Sequence, residues 1–144
     1  MPPARNDPFA ACNFLVEIDG IQSAGFLECS GLSSDTDVID YREGGDAIIR
    51  NLPGLTRYGR IVLRRGLTTN RDLWDWRQTV VTGQTQRRNG VIILLSDART
   101  PVVRWRFQNG WPAKYEGPAL NANASDVAIE SIEIVHEGLT IANA

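Results

Sequence analysis

The sequence predicts a mainly β fold, an antiparallel β-sandwich or barrel of about seven strands carrying one α-helix. Three observations predict it. Apolar residues recur every second position through most of the chain, a single stretch at about residues 71–82 switches to helical spacing, and glycine or proline punctuates the segments between. With 144 residues, 42% hydrophobic and 22% charged, the chain reads as one domain, 1–144. A domain of that size buries roughly 70% of its unfolded surface and needs neither disulfides nor a structural metal.

Residues 1–12 hold Pro2, Pro3 and Pro8 and read as an extended N-terminal arm. From Asn13 to Asp19, Phe14, Val16 and Ile18 share one face and Glu17 and Asp19 the other, which is a half-buried strand. Gly20 and Gly25 bracket a turn into a second strand, Phe26 to Ser30, and Val38–Arg42 reads as a third with Ile39 and Tyr41 on one face. The alternation then stops over residues 43–58, which hold several Gly and Pro breakers yet keep Ile48, Ile49, Leu52 and Leu55. A loop longer than about 12 residues in a compact domain is uncommon. Its apolar content leaves two readings, a loop folded back on its own core or a surface buried by another chain.

Ile61–Arg65 resumes as a strand, and the helix follows. Thr69 or Asn70 can cap its start, Asp72 favours the first turn, and Gly83 can end it. Leu73, Trp74, Trp76, Val80 and Val81 fall within an arc of about 160°, a core-facing width. Arg77 projects from that arc, as a snorkelling side chain or a paired arginine at a subunit contact. Asn89-Gly90 sits where a tight hairpin turn is expected, before the central strand Val91–Leu95. Val103, Trp105 and Phe107 alternate with Arg104 and Arg106 in a strand with one cationic face. In the last strand Val127 and Ile129 are odd while Ile132, Ile134 and His136 are even, so a β-bulge near Glu130-Ser131 is expected.

Charge and chemistry exclude several functions. A net charge of -2 lacks the positive excess of a general nucleic-acid binder, although all of the cations but Lys114 are arginine. The longest apolar run, Val91–Leu95, is far short of the ~20 residues of a membrane helix. The N-terminal residues lack the apolar stretch of a signal peptide, so a soluble chain made in the cytoplasm is expected. Cys12 and Cys29 match no zinc or redox spacing and read as two buried thiols. The single histidine, His136, lies in an alternating strand, where an imidazole more often packs than catalyses. No cofactor, no metal and no catalytic residue is expected, and the acidic pairs Asp35/Asp37 and Glu130/Glu133 are unremarkable in a chain with 17 acids.

Eight dispersed blocks carry a resemblance that covers nearly the whole chain. They are residues 13–20, Tyr41–Gly45, Leu52–Thr56, Arg64–Leu67, Leu73–Trp76, Arg87–Gly90, Trp111–Pro118 and His136–Leu139. Together they resemble the tail tube protein family, the inner tube subunits of contractile phage tails and of phage-tail-like contractile injection systems. The resemblance implies hexameric rings whose sheets join into one large barrel around a lumen, with rings stacked into a tube and expelled when the sheath contracts. It implies as partners the chain itself, sheath, baseplate and tip or spike proteins, a terminal cap, and effector cargo or DNA in the lumen. It places the long loop between rings, with Arg42, Glu43, Ile48, Ile49, Arg50, Leu52, Leu55, Arg57 and Tyr58 at inter-subunit contacts. Phe14, Trp74, Trp76, Trp105, Trp111 and Tyr115 are expected in the core, and the dipeptide Asn109-Gly110 becomes a kink or bulge because that stretch continues through Trp111. An injection system is favoured over a phage tail.

Two other classes stand beside this reading. A β-sandwich binding module for sugars or peptides would present Trp111 and Tyr115, and sedimentation separates it from a subunit that forms rings. A hydrolase would centre on His136.

Overall fold

The computed structural model describes residues 7–21 and 25–144. The strands run in chain order as β1 (Phe14–Ile18), β2 (Phe26–Ser30), β3 (Ser34–Tyr41), β4 (Arg50–Tyr58) and β5 (Ile61–Gly66), then the helix α1 (Asp72–Val81), then β6 (Arg88–Leu95), β7 (Pro101–Glu116), β8 (Ile129–Val135) and β9 (Gly138–Asn143). All strand pairs are antiparallel.

The sixteen-residue β7 organises the domain. Its first half is flanked by β6 and β9, with β1 beyond β6; its second half pairs with β8, which continues to β5 and β2. The two halves belong to opposite layers, and the core lies between them. Val16, Ile18, Leu63, Ile92, Phe107, Ile132 and Ile134 fill it, each buried at 5% exposure or less. Period two produces this directly: alternate residues point inward and the rest meet solvent.

The bend in β7 falls at Asn109, which adopts a φ of 53°, and the register to β6 slips between Arg88 and Gly90. The expected kink at Asn109-Gly110 is found. The turn expected at Asn89-Gly90 is not, because both residues lie inside β6. The reason is Phe107, whose ring occupies the space a Cβ would need at Gly90 and at Gly110, 2.4 Å and 2.7 Å from its nearest atoms. These glycines make room for a ring rather than a turn.

No bulge occurs in β8, whose pairing to β5 runs unbroken from Ile129 to Ile134. The alternation is even throughout and includes Glu130, which faces the core; Val127 precedes the strand and is exposed. The residues expected to form a loop over 43–58 divide differently: Arg50–Tyr58 is β4, hydrogen-bonded to β3, and only 42–49 is irregular. Pro53 and a bulge between Thr36 and Val38 conceal the strand's period from the sequence.

The helix follows its expected bounds closely. Asn70 Oδ1 accepts the Asp72 amide at 2.9 Å at its start. At its end Gly83, with φ 82°, donates to the Val80 carbonyl while Gln84 donates to Thr79, the reciprocal pair of a Schellman ending. Leu73 and Trp76 are the residues it buries, and the Trp76 indole N–H donates to the Gln86 carbonyl at 2.7 Å. Arg77 donates to the Pro112 carbonyl at 3.1 Å, tying α1 to β7 within one subunit.

Candidate functional site

The β3–β4 hairpin is built by direct cross-strand pairing, Tyr41 opposite Arg50, Ile39 opposite Leu52 and Thr36 opposite Thr56. Eight residues of strand carry it about 26 Å along its axis. At its base Gly31 has φ 86° and approaches the Arg60 carbonyl so closely that no side chain fits there. The Tyr58 ring lies 5.4 Å from His136, and the Gly59 amide donates to the Ser33 carbonyl. Beyond that base the hairpin contributes no residue to the core. Val38, Ile39, Tyr41, Ile48, Ile49, Leu52 and Leu55 are all exposed, Leu55 at 70% and Ile48 at 76%. Val38 and Ile39 are consecutive strand residues, so the apolar side chains stand on both faces.

An isolated two-stranded hairpin is marginal in water, and one exposing this much apolar surface gains stability only by covering it. Several of its charges are paired within the hairpin. Arg57 bridges Asp37 at 3.3 Å and Arg50 bridges Asp46 at 3.6 Å. Arg42 donates to the Asp46 carbonyl at 2.8 Å, and the Tyr41 hydroxyl donates to Glu43 at 2.6 Å, which raises the Tyr41 pKa. These pairs are solvent-exposed and each is worth little in energy. They engage all three of the hairpin's arginines, Arg42, Arg50 and Arg57, while its acidic residues Asp35, Asp37, Asp40, Glu43 and Asp46 outnumber them.

Among the expected core residues, Trp76 is buried, while Phe14, Trp105 and Tyr115 are half-buried against the core. Trp111 is half-buried too. Trp74 departs from expectation: it is 44% exposed and meets the edge of the Tyr115 ring at 5.2 Å. A helix on a sheet buries a narrower stripe than the arc predicts, and Trp76 takes it. Cys12 is exposed, contrary to the expected buried thiol, and Cys29 is half-buried, its pKa pushed up to about 11 by burial and then by Glu28. Residues 1–6 of the arm lie outside the described residues, and Pro8 is exposed.

The sequence reading missed the polar knot at the opposite end of the sandwich. Arg65 and Glu130 are 3% and 1% exposed, joined by a 2.7 Å hydrogen bond between Nε and Oε1. The Tyr115 hydroxyl donates to the other Glu130 oxygen at 2.6 Å, and the Arg65 guanidinium lies 5.7 Å from the Phe26 ring centre. Burial, then the hydrogen bond to and charge of Glu130, push the Tyr115 pKa up to about 12. The signal was parity: Arg65 shares the face of Ile61 and Leu63, and Glu130 that of Ile132 and Ile134.

Tyr115 and His136, on which the two alternative functions draw, are both engaged within the fold. Tyr115 spends its hydroxyl inside the fold, so it is not available to a sugar or peptide. His136 binds through Nδ1 to the Gly138 carbonyl at 3.0 Å and packs between Tyr58 and Phe107. Among the described residues no cluster of metal-ligating side chains occurs, and no helix is long and apolar enough to cross a membrane.

A rigid sandwich carrying an uncovered apolar hairpin defines a self-assembling structural subunit. Residues 10–140 match the family described as T4-like virus tail tube protein gp19, and the chain belongs to that family. It is similar to a chain of the PVC extracellular contractile injection system sheath-tube complex in its extended state, at 26% identity and a TM-score of 0.86, covering 95% of this chain and 93% of that one. It is similar also to a chain of the anti-feeding prophage tube-terminating cap, at 25% identity and a TM-score of 0.89, covering 100% and 97%. Hcp1 from Flavobacterium johnsoniae shares the fold at 17% identity, with a TM-score of 0.61 over 91% and 95% of the two chains. No curated protein sequence matches the chain significantly. The chain is a structural tube subunit of a phage-tail-like particle and not an enzyme.

Proposed function

We propose that this chain forms hexameric rings that stack into the inner tube of a contractile injection system. The observation that carries the reading is the β3–β4 hairpin, whose apolar residues stand uncovered on both faces. Each large aliphatic side chain moved out of water stabilises a contact by about 1.5–3 kcal/mol, and a six-membered ring repeats the contact six times. Arg42, Glu43, Ile48, Ile49, Arg50, Leu52, Leu55, Arg57 and Tyr58 lie in or beside this hairpin and form the contact between rings.

Open strands at β1, β2 and β9 offer edges through which neighbouring subunits join their sheets into one barrel, removing the exposed edges a lone sandwich would have to protect. The similar chains come from a sheath-tube complex, a baseplate described as 6-fold symmetrised and a tube-terminating cap, which supports sheath, baseplate and cap proteins as partners, and a tip or spike protein completes the set. They are injection-system particles, which favours protein effector cargo in the lumen over DNA. Assembly takes place in the cytoplasm, the finished particle is released, and the tube is expelled when the sheath contracts.

Leu55→Asp tests the reading. Leu55 contributes nothing to the core, so the variant keeps its native circular dichroism spectrum and forms rings, while electron microscopy shows no tubes. Loss of the β spectrum, or tubes of normal length, overturns it.

A further inference from the structure

His136 is the single histidine of the chain, and the fold places it where three elements meet. Its ring lies 5.4 Å from the Tyr58 ring at the base of the hairpin and 5.8 Å from the Phe107 ring beside the bend of β7. Its Nδ1 is 3.0 Å from the Gly138 carbonyl at the start of β9. A carbonyl only accepts, so Nδ1 carries the proton and Nε2 holds the lone pair. Nε2 is sealed from solvent, and no described residue offers it a hydrogen bond. A bare lone pair is tolerated in that setting at modest cost. A second N–H there is a buried, charged donor without an acceptor, which costs far more.

The charged groups on the surrounding elements are already engaged or turned away. Glu137, next in the turn, accepts from Arg87 at 3.3 Å through one oxygen and from Asn109 at 3.0 Å through the other. Arg60, which leads into β5, pairs with Glu133 of β8, and Lys114 of β7 pairs with the same carboxylate. Arg106 stands on the opposite face of β7 from Phe107 by alternation. On the hairpin, Asp35 and Arg57 face away from Tyr58, and Arg57 bridges Asp37. No carboxylate on these elements is therefore placed to receive a protonated Nε2. The faces of Tyr58 and Phe107 attract a cation, but so near the surface that attraction is weaker than the penalty of the unpaired N–H.

We propose that His136 is a proton-operated latch on the hairpin. In its neutral form it seats Tyr58 and fixes the hairpin's attitude on the sandwich. When Nε2 takes a proton from solvent, the imidazolium turns toward water, the Tyr58 contact is lost and the base of the hairpin loosens. The direction follows from which form the fold satisfies: the latch is closed at higher pH and opens as pH falls. The core does not open with it, because neither His136 nor Tyr58 belongs to the buried cluster. The latch is a property of one subunit and does not depend on the stacking reading.

The test is amide hydrogen exchange, read by mass spectrometry, on the untagged full chain and on His136→Phe, which keeps a ring between Tyr58 and Phe107 but has no nitrogen to protonate. Exchange is measured at about pH 8 and about pH 5, the interval over which an imidazole changes charge, and corrected for the intrinsic rate at each pH. The proposal expects protection over residues 56–60 to fall about tenfold or more at the lower pH in the native chain and to hold in His136→Phe, with β8 equally protected at both. Equal protection at both pH values in the native chain, or the same loss in His136→Phe, overturns it. A second measurement needs no variant. His136 is the only imidazole, so its nitrogen-15 resonances titrate alone. They should show the proton on Nδ1 at the higher pH, and the amide shifts of residues 56–60 should follow the ring's own midpoint. A proton on Nε2 at the higher pH, or amides that follow a different midpoint, overturns the latch and leaves the stacking reading standing.

Discussion

Glu130 is the residue with the most at stake in the core. It accepts from Arg65 and from Tyr115, and removing it leaves a guanidinium buried without a counter-charge. Breaking one side of such a pair costs about 3–5 kcal/mol, so Glu130→Ala is expected to lower the midpoint of thermal unfolding sharply, and Arg65→Met with Glu130→Leu together to recover most of the loss. Differential scanning calorimetry on the three proteins checks this. Tyr115 gives the pH counterpart. Its folded pKa stands near 12, above the ordinary 10, so its contribution is full below pH 10 and is lost as pH rises through 12. Urea titrations of the native chain and of Tyr115→Phe between pH 9 and 12 should show a steeper decline in the native chain. The two cysteines separate by environment: alkylation at pH 8 is expected to consume the exposed Cys12 rapidly and Cys29, whose thiol is held protonated, slowly. Equal rates in a mass-spectrometric time course would contradict that assignment.

The helix and the hairpin show how one pattern of residues can have opposite fates at the scale of the element. Leu73 and Trp76 of α1 are inside, with the Trp76 indole satisfied by Gln86, and Trp76→Ala is expected to cost about 3–5 kcal/mol. Trp74 lies on the rim, and Trp74→Ala should cost well under half as much by chemical denaturation. Ile39 and Leu52 of the hairpin are as apolar as core residues, yet they pair opposite one another at the surface. Hydrophobic periodicity identifies which residues need covering. It does not state what covers them, and in β3–β4 none of the described residues of the same subunit does.

The whole molecule is a sandwich whose buried core takes no residue from its hairpin. Among the described residues between Ile21 and Ile61 none is fully buried in the core, and the partly buried ones, Phe26, Cys29 and Leu32, precede the hairpin, so replacing Ser34–Tyr58 by a short Asn-Gly turn is expected to leave a folded domain with native β circular dichroism and a cooperative transition. Such a protein would lack all seven exposed apolar residues of the hairpin and should no longer form tubes. Unfolding of the shortened chain would mean that the hairpin belongs to the fold as well as to the assembly.

The sequence by itself determined the mainly β class, the bounds of the helix, most strands and the family, because period two, period 3.6 and dispersed blocks of residues are local properties of the chain. Tertiary structure decided the rest. Asn89-Gly90 entered a strand because Phe107, many residues away, needed the space; Glu130 turned inward because Arg65 and Tyr115 waited there; and β4 became a strand through β3, across its proline and a bulge. Each of these outcomes depends on a partner distant in sequence, and a local pattern carries no record of the partner that will satisfy it.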